Sequence, residues 1–300
     1  MHDLIIVGAG AAGLSAGIYG SRYGLDTLVL EKNEINSQIA LVDRVENYPG
    51  FASISGMELI KKIEDHAKAM GIDINYSNVR NVIIDNDRKI VQTENEELQA
   101  KSIIIASGAK PQKLDVPGEI KFTGKGVSYC ATCDGPFFKK RNVAVIGGGN
   151  SAVAEALVLS GIADNVYVVH RRNELRAETI LQNRAFATEN IEFICDSVVE
   201  QIKGNNKVEQ IVVRNIITGK VEEIPVNGVF IYVGIKPNTD FIDVAKTEDG
   251  FIVTDNDMQS SVEGIYAAGD CRTTPLRQVI TAVGDGAIAA YYANNYVKGI

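Results

Sequence analysis

Leu4-Ile5-Ile6-Val7-Gly8-Ala9-Gly10-Ala11-Ala12-Gly13 runs from a short apolar strand through a glycine turn into the start of a helix. In that context the three glycines have physical work to do. They permit a tight turn, let backbone N–H groups approach a pyrophosphate at the helix N-terminus, and bring helix and strand close together. The next apolar run, Thr27–Leu30, ends in Glu31. A carboxylate at the tip of that strand, about 20 residues beyond the turn, suits a ribose with a free 2′-hydroxyl. The opening of the chain therefore reads as a dinucleotide-binding unit.

The same device recurs. Val143–Ile146 leads into Gly147-Gly148-Gly149-Asn150-Ser151-Ala152, with Ala152 in the place of the third small residue. Here the following strand, Val166–Val169, ends in His170-Arg171-Arg172, with Arg176 close behind and no carboxylate at the tip. Guanidinium groups at the ribose position suit a 2′-phosphate, which they can grip bidentately. One unit is thus suited to FAD and the other to NADPH, and that pairing implies hydride transfer from nicotinamide to flavin.

Strands are expected at Leu4–Val7, Thr27–Leu30, Ser102–Ala106, Val143–Ile146, Val166–Val169 and Val229–Tyr232. Helices are expected at Ala11–Tyr23, Met57–Met70, Ser151–Ser160 and Gln278–Val297. Strands alternating with helices make an α/β chain with two Rossmann-like dinucleotide-binding domains. Proline-bearing stretches at Lys110–Gly118 and Gly234–Asn238 mark the boundaries. They give a first FAD-domain segment at 1–112, an inserted NADPH domain at 113–239 and a second FAD-domain segment at 240–300.

Length and charge limit the alternatives. The 300 residues carry a net charge of −8, which disfavours a nucleic-acid surface. No apolar run nears the roughly 18 residues that a membrane span needs. Met1-His2-Asp3 leads straight into a strand, so no export signal is expected and the cytoplasm is the expected compartment. The four cysteines are too few for a secreted disulfide scaffold. Two of them form Cys130-Ala131-Thr132-Cys133, followed by Asp134. A CxxC pair can close a small disulfide and lowers a thiol pKa toward neutrality, while an adjacent carboxylate can deliver a proton to a departing thiolate. A zinc site would need two more ligands. Cys195 and Cys271 stand apart, and the histidines are only His2, His66 and His170, so no metal is expected.

With these motifs in hand, the chain resembles the low-molecular-weight thioredoxin reductases, of the class II pyridine nucleotide-disulfide oxidoreductases, along essentially its whole length. The matching segments are Gly8–Gly13, Val45–Gly50, Cys130–Gly135, Gly147–Ala152, His170–Ala177, Tyr266–Cys271 and Arg277–Ala287. The resemblance implies FAD contacts at Gly8, Gly10, Ala11, Gly13, Glu31, Lys32, Gln38, Asn47, Ala106, Gly108, Asp270, Arg277, Gln278 and Val279. It implies NADPH contacts at Gly147, Gly149, Asn150, Ser151, Ala152, Glu155, His170, Arg171, Arg172 and Arg176. Cys133 would face the flavin, Cys130 would attack the partner disulfide, and Asp134 would be the acid. The expected partner is thioredoxin or a thioredoxin-like redoxin, and the expected assembly a homodimer. Relatives of this fold that draw electrons from ferredoxin or a deazaflavin, or serve a peroxiredoxin-type partner, are the nearest alternatives within enzymes. A flavin-binding redox sensor is the alternative outside them. One departure stands out: Asn36-Ser37 replaces the Gly-Gly usual before Gln38, which leaves the loop from Lys32 to Arg44 open.

Overall fold

The computed structural model describes residues 1–32, 37–42, 45–85 and 88–300, with all their side chains except those of residues 41, 85, 132 and 133. The Asn36 half of the Asn36-Ser37 departure lies outside the described residues. Two compact units share the chain: Met1–Lys110 with Lys236–Ile300, and Pro111–Ile235. The second is inserted into the first, with crossings slightly ahead of the boundaries read from the prolines.

The first unit starts with β1 (His2–Val7), α1 (Ala11–Arg22), β2 (Thr27–Glu31), α2 (Gly56–Ala69) and β3 (Asp73–Tyr76). An antiparallel meander follows, β4 (Val79–Asp85), β5 (Arg88–Thr93) and β6 (Glu97–Ile105), and β7 (Ala109–Pro111) leads out. The seven-stranded sheet has the order β3-β2-β1-β6-β5-β4, with a late strand from the returning chain paired to β6. Both faces of its centre are covered, which is why β1 reads as an unbroken apolar run. Leu4 and Ile6 pack into one core with Leu14, Ile104 and Ala289. Ile5 and Val7 pack into the other with Ile103, Ile105 and Ile242. Of the meander only the end of β6, expected at Ser102–Ala106, was read from the sequence; β4 and β5 carry too many polar residues to form an apolar run.

In the second unit come α3 (Glu119–Phe122), β8 (Val127–Ser128), α4 (Ala131–Asp134), β9 (Asn142–Ile146), α5 (Asn150–Ser160), β10 (Asn165–Val169), α6 (Thr179–Phe186) and β11 (Ile191–Ile194). An antiparallel trio, β12 (Ser197–Lys203), β13 (Gln210–Asn215) and β14 (Val221–Pro225), precedes β15 (Gly228–Ile231) and the exit strand β16 (Ile235–Pro237). The parallel sheet has the order β11-β10-β9-β15-β8. Val143 and Val145 face α5, and Ala144 and Ile146 face Val199 and Ile211 of the antiparallel trio. Both dinucleotide turns therefore sit at the C-terminal ends of parallel strands, where such sheets bind ligands.

The chain then returns to the first unit for β17 (Ile265–Ala267) and α7 (Val279–Lys298). α7 lies so close to α1 that a Cβ on Gly286 would stand 2.1 Å from the Ala12 carbonyl oxygen. That contact carries the segment before α7 to the mouth of the first glycine turn.

Candidate active site

In the first unit the three fingerprint glycines have different reasons to be glycine. Gly8 has φ +111°, and a Cβ there would lie 2.3 Å from the Ala106 oxygen. At Gly13 a Cβ would lie 1.8 Å from the Gly8 oxygen. The fold itself requires both. Gly10, at the N-cap of α1, has φ −74° and ψ −174°, ordinary extended backbone without a side-chain cap. Its nearest neighbour would be Ser37 Oγ, at 3.8 Å. Nothing among the described residues excludes a side chain there, so the open space and the uncapped N–H groups of α1 fit a pyrophosphate. Ala11 begins the helix, buried behind this space.

Around the turn, Glu31 ends β2 with Oε2 accepting from the Ala9 amide (2.7 Å) and Oε1 from the Lys32 amide (2.7 Å). This fixes the carboxylate at the strand tip. Ala106 and Gly108 follow β6, and Gln38 Nε2 donates to the Ala109 carbonyl. Gln278, immediately before Val279 and α7, accepts from Asn47 Nδ2 at 3.0 Å and forms a reciprocal cap with Thr281. The turn Gly269–Cys271 rests against α1, since a Cβ on Gly269 would stand 3.0 Å from Ala12 Cβ. Within it Asp270 has its carboxyl pushed up by burial and by Asp285, with Arg277 opposing the shift. Arg277 lies over the Phe251 ring at 4.2 Å, and its buried Nε has no hydrogen-bond partner among the described residues. Buried polar atoms without partners are rare, so this donor fits the polar edge of a bound flavin. The residues present therefore fit FAD.

Sequence reasoning missed what holds this turn. Asp285 Oδ2 accepts from the Gly269 amide (3.1 Å) and from Arg272 Nη1 (3.0 Å), and both side chains are buried. The available signal was Asp285 itself, the one acidic residue of α7, set between Gly284 and Gly286.

The nucleotide turn of the second unit repeats the logic. A Cβ on Gly147 (φ +144°) would stand 2.3 Å from the Tyr232 oxygen and 3.0 Å from Ala152 Cβ. At Gly149, with φ −92° and ψ −178°, it would meet nothing within 4 Å. Beside the turn lies a cavity of about 500 Å³ lined by Gly147, Gly148, His170, Arg171, Arg176 and Tyr232, among others. No carboxylate among the described residues lines it, so the residues present fit an anionic nucleotide such as NADPH. Arg171 and Arg176 are on the cavity, whereas Arg172 is not among its lining residues. His170 is 4% exposed, and its ring occupies the space where Gly148 would carry a Cβ, 2.5 Å from Nδ1. Burial and the three neighbouring arginines hold its pKa below the ordinary value, so the imidazole is neutral. It braces the turn from behind. Asn150 ties the start of α5 to Glu178, accepting from its amide at 2.7 Å. Ser151 is exposed beside it, and Glu155 lies further along α5.

The cysteine pair belongs to this second unit. Cys130 is disulfide-bonded, while the Cys133 side chain lies outside the described residues. Three contacts fix the loop. Ser128 Oγ accepts from the Cys130 amide (3.0 Å), the Asp134 amide donates to the Cys130 carbonyl (3.1 Å), and the Ala131 amide donates to the Tyr232 hydroxyl (2.8 Å). The residue before Cys130 is also anchored. Tyr129 donates its hydroxyl to Glu119, whose carboxylate also accepts from the amides of Leu114 (3.0 Å) and Asp115 (2.6 Å). Tyr232 and Glu119 were missed as well. Nothing local marks Tyr232, whereas Glu119 follows a glycine as a helix-start acid does. The other cysteines are free thiols. Burial raises both, Cys271 to about 11, so neither is poised as a nucleophile. Among the described residues no cluster of His, Cys, Asp or Glu could hold a metal ion.

Two dinucleotide cradles of different charge, with a disulfide-bonded CxxC segment in the same unit as the basic one, define a pyridine-nucleotide-linked disulfide oxidoreductase. The comparisons agree. The model of the pyridine nucleotide-disulphide oxidoreductases matches residues 2–286. The thioredoxin reductase of Bacillus subtilis is 45% identical over 301 aligned positions, spanning 99% of this chain and 95% of the relative. That of Treponema pallidum is 44% identical, over 99% and 97%. The crystal structure of Lactococcus lactis thioredoxin reductase superposes with a TM-score of 0.97 at 43% identity, covering all of both chains. The chain belongs to the pyridine nucleotide-disulphide oxidoreductases and, within them, to the low-molecular-weight thioredoxin reductases.

Proposed function

We infer that this protein is an NADPH-dependent thioredoxin reductase, working as a cytoplasmic homodimer with FAD in the first unit and NADPH in the second. The observation that carries this is a disulfide-bonded Cys130 in the same unit as a basic dinucleotide cradle, with an acidic-tipped cradle in the other unit. Bound in these cradles, NADPH and FAD would supply the two electrons that open the Cys130–Cys133 disulfide.

The chain's own residues do the rest. Gly8, Gly10, Gly13 and Glu31 would bind the adenosine pyrophosphate part of FAD, and Asp270, Arg277 and Gln278 would hold the flavin. Gly147, Gly149 and the first turn of α5 bind the NADPH pyrophosphate, and Arg171 and Arg176 bind the 2′-phosphate. Two electrons and two protons open the disulfide into two thiols. Cys130, as thiolate, attacks one sulfur of the thioredoxin disulfide. A mixed disulfide forms and one thiolate of thioredoxin leaves. Cys133 then attacks Cys130, the second thiolate leaves, and the original disulfide closes again. Asp134 provides a proton close to the departing sulfur. The homodimer and the compartment follow the family resemblance. The net charge of −8 agrees with a soluble partner, and no helix among the described residues is long and apolar enough to cross a membrane.

The test uses the purified flavoprotein with NADPH, NADH and thioredoxin. Catalytic NADPH oxidation that requires thioredoxin is expected, and stoichiometric reduction without turnover refutes the reading. Cys130→Ser should stop thioredoxin reduction while NADPH still bleaches the flavin. Cys133→Ser should trap a mixed disulfide through Cys130.

A further inference from the structure

Tyr232 touches both halves of the chemistry in the second unit. It directly follows the interior strand β15, and its amide donates to the Ile146 carbonyl at 2.8 Å. Its own carbonyl oxygen lies 2.3 Å from where a Cβ on Gly147 would stand, so its main chain is seated against the first glycine of the nucleotide turn. Its ring packs in the core that holds Ala131, Ala152 and Ala156. At the end of that ring the hydroxyl accepts the Ala131 amide at 2.8 Å. Ala131 stands between the two cysteines and is fully buried. A tyrosine needed only for packing would use its ring and not its hydroxyl. Here the hydroxyl satisfies a buried amide, which would otherwise carry the cost of an unmade hydrogen bond. Burial, with Glu155 and Asp134 nearby, raises the phenol far above its ordinary range, so it stays uncharged in use.

We propose that Tyr232 is a positioning residue that couples nucleotide occupancy to the state of the redox pair, through a main chain seated on the Gly147 turn and a hydroxyl holding the amide between the cysteines. The proposal rests on the assignment of the nucleotide to this cavity. When the disulfide opens, the four-residue loop loses its covalent closure, and the Ala131 amide is the point at which that loop is tied to the rest of the unit. A close-packed ring transmits the change because the surrounding interior yields little. A nucleotide seated on the Gly147 turn braces Tyr232 in the arrangement seen with the disulfide closed. It therefore favours the oxidised pair, and by reciprocity the oxidised pair favours the nucleotide. Release of spent nucleotide becomes easier once the electrons have reached the cysteines. One neutral hydrogen bond sets the scale, about threefold to tenfold in affinity.

The test is calorimetric titration of the full flavoprotein with 2′,5′-ADP, a redox-inert fragment carrying the 2′-phosphate, in the oxidised and dithiol-reduced states. Wild type should bind it about threefold to tenfold more tightly when oxidised. Tyr232→Phe should bring the ratio close to one while keeping its flavin spectrum and a single cooperative melting transition, lowered by the unmade hydrogen bond of the Ala131 amide. Ala131→Pro removes the same hydrogen bond from the donor side and should do likewise. A wild-type ratio of one overturns the proposal whether or not either variant folds. So does a ratio that survives in folded Tyr232→Phe, since the coupling would then run by another route. Failure of wild type to bind 2′,5′-ADP in either state would instead remove the nucleotide assignment on which the proposal stands.

Discussion

Replacing Gly149 and Gly147 by alanine, one at a time, should produce opposite failures within a single turn. At Gly149 the new methyl meets no protein atom within 4 Å, and φ −92° with ψ −178° suits any residue. Folding stability should change by no more than about 0.5 kcal/mol, or rise slightly through the unfolded chain's lost entropy. The methyl does occupy the space through which a pyrophosphate must approach the first amides of α5. Overpacking of a close contact costs about 1–3 kcal/mol, which weakens NADPH roughly 5- to 150-fold. At Gly147 the methyl would collide with the Tyr232 carbonyl, and φ +144° is strained for any L side chain. There the loss should be in folding, by about 1–3 kcal/mol or more. Thermal unfolding of the flavoprotein without nucleotide, beside NADPH titration and kcat/KM, separates the two. If Gly149→Ala binds NADPH as wild type does, the turn does not cradle the pyrophosphate. If it unfolds like Gly147→Ala, the reading of the open space is wrong.

Three further outcomes follow from the same geometry. Arg171→Ala with Arg176→Ala should cut kcat/KM for NADPH about 10²-fold or more and leave NADH nearly unchanged, while Arg172→Ala alone does less; a retained NADPH preference would make these arginines a solvated face. Asp285→Ala leaves Arg272 buried and unpaired and the Gly269 amide without an acceptor, so it should cost about 3–5 kcal/mol in unfolding free energy and loosen FAD, measured by denaturant titration and flavin release. His170 is a base whose folded pKa is depressed, so its contribution to stability is present above the ordinary imidazole pKa of about 6.5 and fades as pH falls below it; urea midpoints from pH 8 to pH 5 should drop more steeply in wild type than in His170→Phe.

What the sequence revealed and what it hid divide along one physical line. Gly8, Gly13 and Gly147 answer to the backbone within a few residues, and Glu31 and Arg171 stand at strand tips whose distance from the turn is set by the βαβ unit. Cys130 and Cys133 are neighbours in the chain. Features of that kind leave a spacing that can be counted. Tyr232 reaches Ala131 across 101 residues, and Asn47 reaches Gln278 across 231, so only the folded sheet brings them together. A tyrosine at the end of an apolar strand looks the same whether its hydroxyl faces water or an amide between two cysteines. Gly10 and Gly149 complete the argument from the other side. The sequence marks them as glycines, but only the structure shows that no atom of the described residues requires it. Their smallness suits a ligand that approaches the two turns, as the FAD and NADPH of the proposed function would.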